Sequence, residues 1–297
     1  MSSVSSAERL RSAVAVIRSG GTVETQAPGK IGEFLHPPVT ERDALLECLE
    51  LIEKRLIGAP ELAPCLPVLL FAWNRLHSAL LVIHELAAKE WADQIEYPEI
   101  CNSLAVLLDL LGYLQDPSVQ APLRAALDLP EVQLKMFALT SLLRQGESVG
   151  FSQIESVAAS NETRILLWRR LREIGKEDLM PPTWATAQQL ATSDMVWWAS
   201  HPNELGTPPE DVELMATCGV DLEGEQLEVF VFRFREYPKP WAPSEGWMAG
   251  IAGPFREGES LGSPWSAFDT WDSMSPEAHF KKLIASACWC EVDNEGS

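Results

Sequence analysis

Gly258-Glu259-Ser260-Leu261-Gly262 has the spacing of a nucleophile elbow. That chemistry needs the serine on a tight turn between a strand and a helix, where it can attack a carbonyl. Here Phe255-Arg256-Glu257 precedes the motif, and Ser263-Pro264 follows where a helix would have to begin, so the segment reads as a surface loop. His84-Glu85-Leu86-Ala87-Ala88 opens like a zinc-protease helix but has Ala88 where the second histidine ligand must stand. His77 and His84 are seven positions apart on one helix face. With a carboxylate they could touch one metal, although such histidines more often sit at the edge of a packed helix. Cys288-Trp289-Cys290 lacks the paired spacing of a zinc site and reads as the end of the last helix. Gly29-Lys30 has Glu24 where a phosphate loop needs its first glycine, and no Gly-rich dinucleotide fingerprint occurs. No catalytic residue, metal set or cofactor site is therefore expected, and the chain is not expected to be an enzyme.

Two residue groups point instead to recognition. Trp241, Trp247, Trp265 and Trp271 are interleaved with Glu245, Glu257, Glu259, Asp269 and Asp272. Trp247 lies in a strand candidate and reads as core, while Trp241, Trp265 and Trp271 lie in loop sequence, where binding residues usually reside. Trp241, Glu245, Glu257, Glu259, Trp265, Asp269, Trp271 and Asp272 are therefore the candidate partner-binding residues, since aromatic anchors dominate many interfaces. The plainer alternative is that the tryptophans fill the core of a small domain. Arg164, Arg169, Arg170 and Arg172, with Trp168 among them, are a basic cluster that could meet phosphate. Equally, Arg169, Arg170 and Arg172 could coat the solvent side of an amphipathic helix.

Charge weighs against the phosphate reading. The chain of 297 residues has 43 acids and 23 lysines and arginines, a net charge of −20. Such a surface repels nucleic acid and anionic lipid. The asymmetry is steep: residues 181–297 carry 19 acids and 6 bases, a net of −13, and 8 of the 11 tryptophans. The apolar uncharged run Leu62 to Asn74 contains Pro64 and Pro67 and falls short of a membrane span. The N-terminus has Glu8, Arg9 and Arg11 where an export signal would be apolar. A reducing cytoplasmic location follows as an expectation, with Cys48, Cys65, Cys101, Cys218, Cys288 and Cys290 as free thiols.

The elements that position these residues divide into two grammars, helical over 1–195 and mixed over 196–297. Val4 to Ile17 predicts a capping helix, and the Gly/Pro-rich stretch 19–38 a loop. Thr40 predicts an N-cap for a helix from Glu41 to Leu56, and Glu61 to Trp91 reads as two helices. Leu104, Leu107, Leu108 and Leu111 have the i, i+3, i+4, i+7 spacing of one buried stripe. Asp116-Pro117-Ser118 closes that helix and opens another to Leu127. Leu134, Phe137, Ala138 and Leu142 make the next stripe, ended by Gly146. A short helix over 151–159 follows. Asn161 then predicts an N-cap for a helix through Ile165, Leu167, Leu171 and Ile174, closed by Gly175.

Helix starts near 104, 131 and 162 recur at about 30 residues, the mark of stacked hairpins that bury their apolar faces only against neighbours. Asp128-Leu129-Pro130-Glu131-Val132, then Ala138-Leu139, then Leu143-Arg144-Gln145-Gly146, resembles a HEAT repeat of the short bacterial type. The resemblance covers about residues 60–195 and implies a right-handed superhelical solenoid. The alternative is an irregular all-helical domain. HEAT-like DNA glycosylases line a concave face with Arg, Asp and Trp, which keeps an enzyme acting on nucleic acid as the third reading of function.

In the C-terminal part, Phe230, Phe232 and Phe234 face one way and Leu227, Val229 and Val231 the other, so this strand is covered on both sides. Val212 to Cys218 pairs with it across a turn at Asp221 to Glu225, and Trp247 to Ala252 is a third strand candidate. Ser275 and Pro276 open a last helix with Phe280, Leu283, Ile284 and Ala287 as its buried stripe. A small α+β domain follows. Three segments are together similar to a module appended to some bacterial HEAT-repeat proteins encoded among interbacterial toxin and immunity genes. They are His201-Pro202-Asn203-Glu204-Leu205-Gly206, Val229 to Phe234, and Gly246 to Pro254. The resemblance implies an immunity protein that binds a basic toxin domain stoichiometrically. A HEAT-like adaptor or assembly scaffold is the alternative, and charge discriminates, since a scaffold needs no concentrated acidic face.

Overall fold

The computed structural model describes residues 5–20, 40–86, 90, 94, 96–201, 208–209, 211–222, 224–235, 246–253 and 267–287. It is mainly helical, with a small antiparallel four-stranded sheet towards the C-terminus. The chain divides into two compact units, 1–150 and 151–297. The change from helix to strand comes after residue 199, so the second unit contains helices as well as the sheet.

In the first unit, α1 (Ser6–Ser19) starts with a capping box between Ser5 and Glu8, and α2 (Glu41–Glu53) with one between Thr40 and Asp43. α2 stops three residues before the predicted Leu56. Arg55 takes φ +55°, and the N–H groups of Leu56 and Ile57 turn back onto the Leu51 carbonyl. α3 (Ala59–Leu62), a 3-10 turn (Ala63–Cys65) and α4 (Leu66–His84) follow without a break. Pro64 and Pro67 fall in first turns, where a missing N–H costs no helical bond. This overturns the expectation drawn from the prolines: Ala59–His84 is one 26-residue helical run, long and apolar enough to cross a membrane by length and composition alone.

α5 (Glu96–Leu111), a 3-10 turn (Pro117–Val119), α6 (Gln120–Ala126) and α7 (Val132–Arg144) complete this unit. α4 packs on α5, α6 packs on α7, and α2, α5 and α7 are neighbours in succession. Leu104, Leu107, Leu108 and Leu111 are buried as their spacing predicts, and so are Leu134, Ala138 and Leu142 of α7. Phe137 is only half-buried, whereas Met136, Leu139, Thr140, Ser141 and Leu143 are buried too. α7 is thus enclosed almost all round rather than on one stripe. The α5–α7 contact is close: Ser141 Oγ donates to the Leu108 carbonyl (2.8 Å), and Gln145 donates to the carbonyls of Leu111 and Leu114. Buried Asp109 pairs with Arg144 at 2.8 Å, and Arg144 lies over the Tyr113 ring. Gly146 at φ +83° closes α7, with its N–H on Leu143 and that of Glu147 on Leu142.

In the second unit, α8 (Phe151–Ala159), α9 (Arg164–Glu173) and α10 (Ala187–Ala199) precede the meander β1 (Asp211–Leu222), β2 (Glu225–Arg235), β3 (Met248–Ala252), β4 (Ala267–Thr270), and α11 (Pro276–Ala287) ends the described chain. Asn161 is not the N-cap of α9; Thr163 holds that position without a side-chain cap. The free N–H of Ile165 is taken instead by Ser193 Oγ of α10 (2.9 Å), which donates in turn to the Asn161 carbonyl. Helices cover both faces of the sheet, as the two apolar faces of β2 predict. Phe230, Phe232 and Phe234 pack on Ala191 and Met195 of α10. Val229, Val231, Ala249 and Ile251 pack on Leu283 of α11. Each of these Phe, Val, Ile, Leu and Met side chains stabilises the fold by about 1.5–3 kcal/mol relative to exposure. Gly250 lets α10 approach, since a β-carbon there would overlap the Met195 thioether.

β1 contains a bulge. Leu214 pairs with Phe232 but Ala216 pairs with Val231, leaving Met215 as an extra residue. Val212 and Leu214 therefore lie on the α10 face, while Ala216, Cys218 and Val220 lie on the α11 face. β4 was not anticipated; four residues with one aromatic give no readable period.

Candidate functional site

Of the candidate partner-binding residues, Asp269, Trp271 and Asp272 are described; Trp241, Glu245, Glu257, Glu259 and Trp265 lie outside the described residues, as do Ser260, Lys30, Cys288 and Cys290. The three are brought together by β4 and the turn into α11. Asp269 sits opposite Ala249 in the β3–β4 ladder, and the Trp271 N–H extends that ladder to the Trp247 carbonyl (2.8 Å). Trp271 is therefore tied to the sheet rather than free in a loop. Its indole stacks on the imidazole of His279, 4.4 Å between centroids, and packs against the α11 face of the sheet.

Asp269 forms an ion pair with Lys282 of α11. The Lys282 hydrogen bond, followed by the Thr270 N–H, holds its carboxyl below the ordinary aspartate range. Asp272 is half exposed and accepts from the Met274 N–H (2.7 Å), shaping the turn that leads to Ser275. Ser275 Oγ then caps α11 through the Ala278 N–H, as the Ser-Pro pair predicts. Of the three, then, Asp272 is the one presented to solvent with its charge unpaired by a lysine or arginine among the described residues.

His279 is the unexpected member. It is wholly buried, and the Asp272 N–H approaches its Nε2 at 3.4 Å. Nε2 can accept that bond only when the ring proton is on Nδ1, and Nδ1 has no partner among the described residues. A second group was also missed. Arg233 and Arg235 lie over the Trp247 ring at 4.3 and 5.0 Å, and each holds an acid of β1, Glu213 and Asp211. The signal was present: Arg233 and Arg235 continue the parity of Val229 and Val231, so that face of β2 changes from apolar to cationic partway along.

The arginine cluster does not form a basic face. Arg164 is buried, and its guanidinium donates to the carbonyls of Ala158 (2.7 Å), Ala159 (2.9 Å) and Gln189 (3.0 Å) while lying over Trp184. It fastens the C-terminal end of α8, and desolvation lowers its pKa to about 10. Arg169, read from sequence as a possible solvent-side residue, is buried against Asp194 at 3.0 Å because α10 covers that side of α9. Arg172 lies over Trp168.

The histidine pair does not converge either. His77 stacks on Trp73, one turn back along α4. His84 contacts Glu131 at 2.7 Å, and the Tyr97 hydroxyl donates to the same carboxylate oxygen. Among the described residues no group of three or more His, Cys, Asp or Glu side chains could hold a metal ion. Cys48, Cys65, Cys101 and Cys218 are free thiols. No protein-family model, no curated protein and no solved structure matches the chain.

Proposed function

We propose that this is a protein-binding protein, an immunity protein that neutralises a basic bacterial toxin by stoichiometric binding, on a HEAT-like stack of helical hairpins. The hairpin packing of α4 on α5 and α6 on α7, with α2, α5 and α7 in succession, supports the HEAT-like reading. One observation carries the function: the acid surplus of 20 has no internal cations to neutralise it. Arg75, Arg124, Arg144, Arg169, Arg233 and Lys282 each face a carboxylate, and Arg164 is buried on carbonyls. What is left over is negative field, which speeds encounter with a cationic partner and rejects anionic ones.

The exposed side of α4 favours a second reading, the adaptor or scaffold. Phe71, Leu81 and Val82 are exposed there, on a helix whose own charged side chain is Arg75. Co-expression with a toxin encoded beside this gene separates the two. The immunity reading expects survival of the cells and a one-to-one complex whose association slows with added salt. No protection, with only housekeeping complexes recovered from the native host, leaves the scaffold.

A further inference from the structure

The first unit contains a cavity of about 550 Å3 walled by the start of α2, the middle of α4 and the first half of α5. Ligand pockets of small molecules fall in this size range. Its lining is unusually charged: four carboxylates, two guanidiniums, and an apolar wall that includes Leu76 and Ala79.

Glu41 is the key residue. Its side chain is only 9% exposed, and one carboxylate oxygen is paired with Arg75. The other, Oε1, is buried and has no hydrogen-bond partner among the described residues. The Nε–H groups of Arg75 and of Arg42 are buried and likewise without a partner among the described residues. Arg42 itself reaches Glu99 only at 3.9 Å. Buried polar atoms are ordinarily satisfied, and these three belong to side chains that line one cavity, so a ligand that draws those side chains towards it can answer all of them.

The orphans are two N–H donors on cations and one acceptor on an anion. A carboxylate satisfies the donors, and a protonated amine satisfies Glu41 Oε1. A molecule that carries both on neighbouring atoms is a zwitterion. With four carboxylates against two guanidiniums, the lining also favours a further positive charge on the ligand, and the apolar wall suits a methylene chain. We propose that this cavity binds a free amino acid, with preference for a cationic side chain such as that of lysine.

Calorimetric titration of the full chain tests this with L-lysine, L-leucine, 1,5-diaminopentane and hexanoate. Lysine should bind one-to-one and more tightly than leucine. The diamine and hexanoate should each bind about tenfold more weakly or worse, the loss expected when a hydrogen-bonded charge is removed. Glu41→Gln should weaken lysine binding by about the same factor. Ala79→Phe, which fills the cavity and leaves the ion pairs in place, should abolish it, with folding checked by circular dichroism. Should either variant fail to fold, hydrogen exchange on the wild-type chain gives the location: lysine should slow exchange at the start of α2 and the first half of α5. Absence of lysine binding at millimolar concentration overturns the proposal. So does equal binding of diamine and lysine, or lysine-dependent protection confined to other segments.

Discussion

Gly112, at the end of α5, faces Ser141 of α7 so closely that a β-carbon on Gly112 would stand 2.7 Å from Ser141 Cβ and 2.5 Å from its hydroxyl. The obstruction is the root of a buried side chain, which cannot swing away. Gly112→Ala should therefore force the two helices apart and destabilise the chain by about 1–3 kcal/mol. Urea denaturation checks this. Pairing it with Ser141→Gly should recover part of the loss, and a single variant as stable as wild type would show that the helices are less tightly apposed.

Arg164 donates to the carbonyls of Ala158 and Ala159 at the end of α8 and to that of Gln189 in α10. Arg164→Ala should cost about 3–5 kcal/mol, since it removes charged hydrogen bonds and leaves buried acceptors without donors. Arg164→Lys should fall between, because one ammonium cannot reproduce the fork. Chemical denaturation of the three proteins orders them wild type, Lys, Ala. An exposed arginine would give three similar curves.

Burial pushes the thiol of Cys48 up to about 12, with Cys65 and then Glu47 adding to it, and burial followed by Glu131 pushes Cys101 to about 12. Neither should react with iodoacetamide at pH 8 until the protein is denatured, as read by peptide-level mass spectrometry. A raised folded pKa gives stability that is complete below the ordinary thiol value of 9.0 and is lost as pH climbs towards 12. Melting temperature should fall across that window, less steeply in Cys48→Ala.

At the proposed toxin interface, Asp272→Lys should slow association and flatten its salt dependence without unfolding the protein, because its side chain is half exposed. Asp269→Lys should do the same but also lose the Lys282 pair. Trp271→Ala should lower stability through the lost His279 stack, so Trp265→Ala is the variant whose faster dissociation would report binding. Surface plasmon resonance separates the two rates. Unchanged association for Asp272→Lys would remove this turn from the interface.

Much of the frame is legible in the residues. Phe230, Phe232 and Phe234 alternating with Val229 and Val231 declare a strand covered on both faces, and Thr40 and Ser275-Pro276 mark helix starts, because these signals act over a few residues. What escaped is long-range. Ser193 caps α9 from α10, 28 residues away, so the position of Asn161 alone suggests a role that it does not take. Arg169 reads as a solvent-side residue and Arg164 as one of a cluster that could meet phosphate, because nothing in sequence shows that Asp194 or carbonyls wait to receive them. Of the proposed interface, the acids were visible, but not that Lys282 neutralises Asp269 or that His279 holds Trp271.

The extra residue in β1 has a consequence for how this chain can change length. Val212, Leu214, Ala216, Cys218 and Val220 form one uninterrupted alternation, yet they serve two different layers because Met215 resets the phase between them. Loss of Met215 itself would leave Leu214 opposite Phe232 and Ala216 opposite Val231 in an unbroken ladder, with both apolar sets on their own helices, whereas pairing every residue without the bulge would turn one set towards the wrong helix. The turn at Gly224, where the chain simply reverses, carries no such phase. A one-residue shortening of the hairpin is expected to be absorbed at Met215, where the ladder closes without changing which layer either set serves, so the bulge is spare length in the strand.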